Sequence, residues 1–154
     1  MKSHDIANAA RKRAIAMLKE GTRPAQVLHH LATAAESITP PGSAASILFL
    51  DKQGLLRDGA SPQMPADYLK AIDGLKPQPN VGTCAAAAAL ALGYQGAWST
   101  PIKGKDGVVL GTLGIYQRDL REPTKEEREA MQTLAAAAAQ ALTATPSRQP
   151  IRAR

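Results

Sequence analysis

The chain has 154 residues and a formal charge of +6, and 44% of its residues are hydrophobic although only 3% are aromatic. This length fits one domain, and the longest apolar run, Cys84 to Leu92, is far shorter than the roughly 20 residues that span a bilayer. The single cysteine excludes an intramolecular disulfide and favours a reducing compartment. We therefore expect a soluble cytoplasmic protein with no membrane partner.

The positive charge is concentrated in two places, Arg11 to Arg13 and the C-terminal segment 145–154. The C-terminal segment has the composition of a disordered basic tail. Neither cluster contains interleaved aromatic residues or a recognition motif, which nucleic-acid surfaces usually carry. Nucleic acid is therefore not an expected partner.

The first half of the chain predicts two amphipathic helices, a β-hairpin and a short helix. Helical spacing of apolar residues indicates the helices, and two apolar runs around a polar turn indicate the hairpin. Because the first run of the hairpin is continuously apolar, its strand is expected to be central. The elements are expected at about Asp5 to Glu20, Pro24 to Ile38, Ser46 to Leu50, Leu55 to Gly59 and Pro65 to Ile72.

The second half predicts an uncharged helix, a second hairpin and a long terminal helix. Thr83 can cap the uncharged helix, and Thr124 to Glu127 form a capping box that starts the terminal helix. The order of all elements fits an α+β fold, an antiparallel sheet with helices on its faces. The elements are expected at Cys84 to Leu92, Ala97 to Ile102, Val108 to Tyr116 and from Thr124 onward.

Four stretches in this order resemble the GAF domain family. They are Ser46 to Asp51, Ala66 to Gly74 together with Asn80 to Cys84, Ala97 to Ile102, and Val109 to Tyr116. The resemblance implies a GAF/PAS-like domain over residues 24–144, with residues 1–23 as an N-terminal helix and 145–154 as a tail.

The sequence departs from the family between Ala89 and Gly96, where the family normally has an outer strand, an acidic loop and a further helix. The resemblance therefore implies a sheet that lacks one edge strand and a ligand cavity that lacks one wall.

In the family a ligand lies between the sheet and the helices over it, which suggests candidate binding residues here. Free amides at a helix N-terminus can hold an oxyanion such as nitrate, and a following strand can contribute side chains. The alternatives left open are that Thr83 only caps its helix, that Cys84 is a small buried hydrophobe, and that Trp98 only fills the core. The candidates are Gly82, Thr83, Cys84, Ala85, Ala86, Trp98, Pro101 and Ile102.

These observations predict a signalling sensor that binds a small molecule, needs no cofactor and is not an enzyme. A free methionine sulfoxide reductase is disfavoured because one cysteine cannot complete its redox cycle within the chain. Adjacent His29 and His30 point in different directions and predict no metal site. The expected partners are a small ligand, a signalling kinase or regulator, and a second copy through the first and last helices. A ligand-free dimeric interaction module is the alternative function.

Overall fold

The computed structural model describes residues 2–74 and 93–144. All elements predicted within these ranges are present with ends close to those expected, whereas the predicted helix Cys84 to Leu92 lies outside the described residues. The elements are α1 (Ser3–Lys19), α2 (Pro24–Ile38), β1 (Ala44–Leu50), β2 (Leu56–Ala60), α3 (Ala66–Ile72), β3 (Gly96–Lys103), β4 (Val109–Gln117) and α4 (Lys125–Thr143).

The four strands form one antiparallel sheet in the order β2-β1-β4-β3. β1 is central, as its apolar sequence predicts, and its first five residues are buried. The α+β class with an antiparallel sheet is thus confirmed. In the part of the chain that is described, β3 pairs only with β4 and forms an edge of the sheet. The family's additional outer strand would fall partly beyond this part, so its loss stays a prediction.

The two faces of the sheet carry separate hydrophobic clusters, because side chains alternate along each strand. On one face Ile47, Leu113 and Ile115 pack in the same cluster as α1, α2 and α4. On the other face Leu48 and Tyr116 pack with α3. We call these the helix face and the tyrosine face.

Alanine dominates the contact between the terminal helices. α1 packs against both α2 and α4, and its buried residues are Ala7, Ala10 and Ala14. Small side chains allow two helix backbones to approach closely and make many weak dispersion contacts. The buried alanines of α4 are Ala130, Ala135, Ala137, Ala138, Ala139 and Ala141.

This packing corrects the expectation that the first and last helices leave apolar stripes for a second copy. Met131, Leu134 and Ala138 are each 0% exposed within a single chain, because α4 covers the sheet. Met17 and Leu18 of α1 are half-buried against the same core. The apolar stripe of α4 therefore lies in the interior of the single chain. A homodimer stays a prediction, but this stripe is not expected to form its interface.

No helix in residues 2–74 and 93–144 combines the length and apolarity needed to cross a membrane. The same ranges contain no group of three or more histidine, cysteine or acidic residues able to hold a metal ion.

The predicted capping box is present at the start of α4, and its removal should be measurable. Thr124 Oγ1 accepts from Glu127 N at 3.1 Å, and Glu127 Oε1 accepts from Thr124 N at 3.0 Å. We expect Thr124→Ala to lower the free energy of unfolding by about 1 kcal/mol in urea titrations. The control is Thr33→Ala, since Thr33 is an exposed residue inside α2 whose hydroxyl only bonds back to His29 O. Equal losses in both variants would contradict a capping role.

Candidate functional site

All three tyrosines of the chain gather on the tyrosine face. Tyr68 comes from α3, Tyr116 from β4, and Tyr94 from the segment just before β3. The rings of Tyr68 and Tyr116 meet edge to face with centroids 5.7 Å apart, and Tyr94 lies 6.1 Å from Tyr116. Because the chain has few aromatic residues, this concentration marks the tyrosine face as the candidate site.

A chain of hydrogen bonds leads from the tyrosines to the surface. The hydroxyls of Tyr68 and Tyr116 are 2.9 Å apart, and Tyr68 donates to Ser46 Oγ at 3.3 Å. Ser46 and Ser61 are joined at 2.8 Å, and Ser61 donates to Asp58 Oδ1 at 2.7 Å. These hydrogen bonds join α3, the strands β4, β1 and β2, and the turn after β2 in one polar network.

The carboxylate fixes the direction of this network. When ionised, Asp58 can only accept, so Ser61 donates to it, Ser46 donates to Ser61, and Tyr116 donates to Tyr68. Each hydroxyl then donates its single proton to the next group of the network. The oxygen of Tyr116 is left with lone pairs but no proton for any further group.

Electrostatics keep both buried phenols neutral. Burial raises the pKa of Tyr68, and burial together with the neighbouring Tyr68 raises the pKa of Tyr116. The pKa of Asp58 is raised, because its partial burial, together with nearby Asp73, outweighs the hydrogen bond from Ser61. The phenols therefore offer hydrogen bonds rather than charge.

A positive charge lies at the rim of the cluster. The guanidinium carbon of Arg118 is 4.0 Å from the centroid of the Tyr94 ring, a cation–π distance. Tyr94 is 6% exposed. The site thus combines apolar walls, phenol oxygens and one adjacent cation.

The structure describes three of the residues that the sequence grouped, and two of these, Trp98 and Pro101, border the same cavity along β3. Gly82 to Ala86 lie outside the described residues. The side chains of Trp98 and Ile102 pack on the helix face, whereas Pro101, the neighbour of Ile102, points to the other side of β3 because strand side chains alternate. Pro101 alone of these three shares a side with the tyrosines, and contact of any of them with a ligand stays a prediction.

The candidate residues from the sequence include none of the three tyrosines, and the sequence did not predict the polar network. One available signal was the parity of β4: Tyr116 is out of phase with Leu113 and Ile115, and therefore lies on the opposite face from them. The pairing of α3 with β4 had no signal in the sequence.

The sequence matches one family. The sequence profile of the GAF domain matches residues 21–143, so the chain belongs to the GAF domain family. Among curated proteins it is similar to the methyl sulfide methyltransferase-associated sensor of Methanosarcina acetivorans, with 31% identity over 148 residues. The match covers 80% of this chain but only 15% of that sensor.

Solved structures agree on the fold. The phycoerythrobilin-bound GAF domain of a cyanobacterial phytochrome superposes with a TM-score of 0.64 at 16% identity, over 88% of this chain and 95% of that one. The GAF domain of an Acinetobacter phosphoenolpyruvate-protein phosphotransferase gives 0.64 at 12% identity, over 88% and 92%. At such identities the likeness establishes the fold alone.

Proposed function

We propose that this chain is a sensory GAF domain that binds a small ligand over the tyrosine face and passes the binding event to a signalling partner. The observation that carries the proposal is the clustering of all three tyrosines around one buried hydrogen-bond network. Membership of the GAF family and the similarity to a protein named as a sensor support a non-enzymatic sensory role.

The direction of the hydrogen-bond network narrows the chemistry of this ligand. Since the Tyr116 oxygen presents lone pairs, it favours a ligand with an N–H or O–H group that can donate to it. A purely accepting ion such as nitrate would require Tyr116 to turn its proton away from Tyr68. Binding of an oxyanion would therefore depend on the amides of Gly82 to Ala86 rather than on Tyr116. A ligand with both an anionic and a donating group would suit the amides and the Tyr116 oxygen together.

The size of the relative supports the proposal of a signalling partner. The chain corresponds to 15% of the Methanosarcina sensor, so a larger regulatory protein is the natural context for such a domain. We propose a signalling kinase or another regulator as that partner.

The test of the ligand site is a thermal-shift screen with nitrate, nitrite, cyclic nucleotides, amino acids and haem, repeated on Tyr116→Phe. A compound that binds the tyrosine face should raise the melting temperature of the wild type. Its affinity for Tyr116→Phe should fall about tenfold, because one hydrogen bond is lost.

The matched control is Ser37→Ala, which removes an exposed hydroxyl that only bonds to Thr33 O within α2. It should respond like the wild type. If no compound stabilises the wild type, or if Tyr116→Phe responds to the hit as strongly as the control does, the proposed site is wrong. Folding of Tyr116→Phe is not at issue, since Tyr68 keeps its bond to Ser46.

A further inference from the structure

A cavity lies along β3, next to the loop that leads into α4. It has a volume of about 430 Å³ and is bounded by residues 97–101 of β3, by the loop before α4 and by the first turns of α4. This volume lies in the range of pockets that hold small organic molecules. We call it the β3 groove.

Polar atoms without partners gather at this groove. Nε1 of Trp98 and Nε of Arg121 are buried and have no hydrogen-bond partner, although both residues line the groove. Oε1 of Gln117, in β4, is also unpartnered, while its Nε2 donates to Arg121 O at 3.3 Å. Buried polar side-chain atoms almost always have a partner. Two of the four exceptions in residues 2–74 and 93–144 therefore belong to residues that line this groove.

The charged residues of the groove differ in how firmly they are held. Nη2 of Arg121 donates to both carboxylate oxygens of Glu127, at 2.9 and 3.1 Å, which fixes the guanidinium in position. Arg128 has a side chain 56% exposed and lies 3.6 Å from Glu122, whose own side chain is 91% exposed. Such an exposed pair is weak, so Arg128 can exchange Glu122 for another anion.

We propose that the β3 groove binds a small organic carboxylate. The carboxylate oxygens accept hydrogen bonds from Trp98 Nε1 and Arg121 Nε, and Arg128 adds a charge-assisted bond. The indole of Trp98 and the adjacent proline Pro123 give the apolar part of the ligand a surface to contact. A carboxylate suits this set because its accepting oxygens match the two unpartnered donors and the exposed guanidinium of Arg128.

This site goes beyond the proposed sensory function, since its lining shares no residue with the tyrosine cluster. Because Trp98 is the only tryptophan of the chain, its fluorescence reports directly on the β3 groove. The probes are glutarate and hexanoate, titrated at constant ionic strength against sodium chloride and sodium nitrate.

We expect a saturable change in Trp98 fluorescence with the carboxylates and none with chloride or nitrate. Arg128→Gln should weaken carboxylate binding about tenfold or more, and Arg128 is exposed enough for the variant to fold. The matched control is Arg13→Gln, which removes another exposed arginine whose carboxylate partner, Glu20, is 3.9 Å away. It should bind like the wild type.

The companion variant Tyr116→Phe separates the two sites. Unchanged carboxylate binding by Tyr116→Phe supports the β3 groove as the binding site. The ligand site proposed on the tyrosine face is then independent of the groove. Loss of binding in Tyr116→Phe but not in Arg128→Gln would overturn the groove and move the carboxylate to the tyrosine face. An absent fluorescence change, an equal response to nitrate, or binding of an acidic peptide without binding of either small acid would also overturn it.

Discussion

Replacing Gly111 with alanine is expected to lower the free energy of unfolding by about 3 kcal/mol or more. Gly111 lies in β4 opposite Phe49 of β1 and Ile102 of β3. A Cβ at this position would overlap the carbonyl oxygen of Leu48 and lie 2.9 Å from the Cα of Phe49. Both are backbone atoms of the central strand, so they cannot move aside without disturbing the ladder.

The control for this variant is Gly104→Ala. There a Cβ would meet only side-chain atoms, the nearest being Asp106 Oδ1 at 3.4 Å. Its effect should stay within about 1 kcal/mol. Urea titrations of both variants measure the difference, and a Gly111→Ala protein as stable as the wild type would mean that β1 and β4 do not pair in this register.

The second large effect is expected at Leu134. Its side chain is 0% exposed and lies in the cluster between α4 and the helix face. Leu134→Ala should therefore cost about 2 to 5 kcal/mol of unfolding free energy. Leu134→Glu should fail to fold, because it would bury an unpaired carboxylate.

Leu120 provides the matched exposed position, since it is 80% exposed in the loop before α4. Leu120→Glu should keep the wild-type circular dichroism spectrum and melting temperature. Size-exclusion chromatography distinguishes the remaining alternative. If Leu134→Glu were a folded monomer while the wild type eluted as a dimer, the α4 stripe would be an interface after all.

The sequence was sufficient to predict the elements because each carries a local signal. The run from Ser46 to Leu50 is apolar enough to require a central strand, and the Thr124 capping box defines the start of α4 within one residue. Such signals depend on neighbours in the chain. They hold regardless of how the elements later pack.

The site was harder to predict because it depends on distant residues. Tyr68 and Tyr116 are 48 positions apart, and their hydrogen bond exists only because α3 packs over the sheet face that Tyr116 occupies. For β3 a local signal was present but weak. Trp98 and Ile102 are an even number of positions apart, so their side chains lie on one face of the sheet. The side chain of Pro101 lies on the other face.

The β3 groove could not be predicted from any motif. It forms where the loop containing Arg121 runs past β3 into α4, and its two unpartnered donors come from β3 and from that loop. A lone tryptophan or a paired arginine is an ordinary feature of a sequence. Their shared lack of partners becomes visible only in three dimensions.

The alanine contact between α1 and α4 limits how the chain can vary. At Ala7, Ala10 or Ala14 nearly every substitution adds atoms between two close backbones, and glycine, the only smaller choice, costs about 1 kcal/mol in a helix interior. A larger residue on one helix would therefore be tolerated only with a smaller one on the other. Since most buried residues of α4 are also alanines, changes at this contact are expected in pairs, one on each helix.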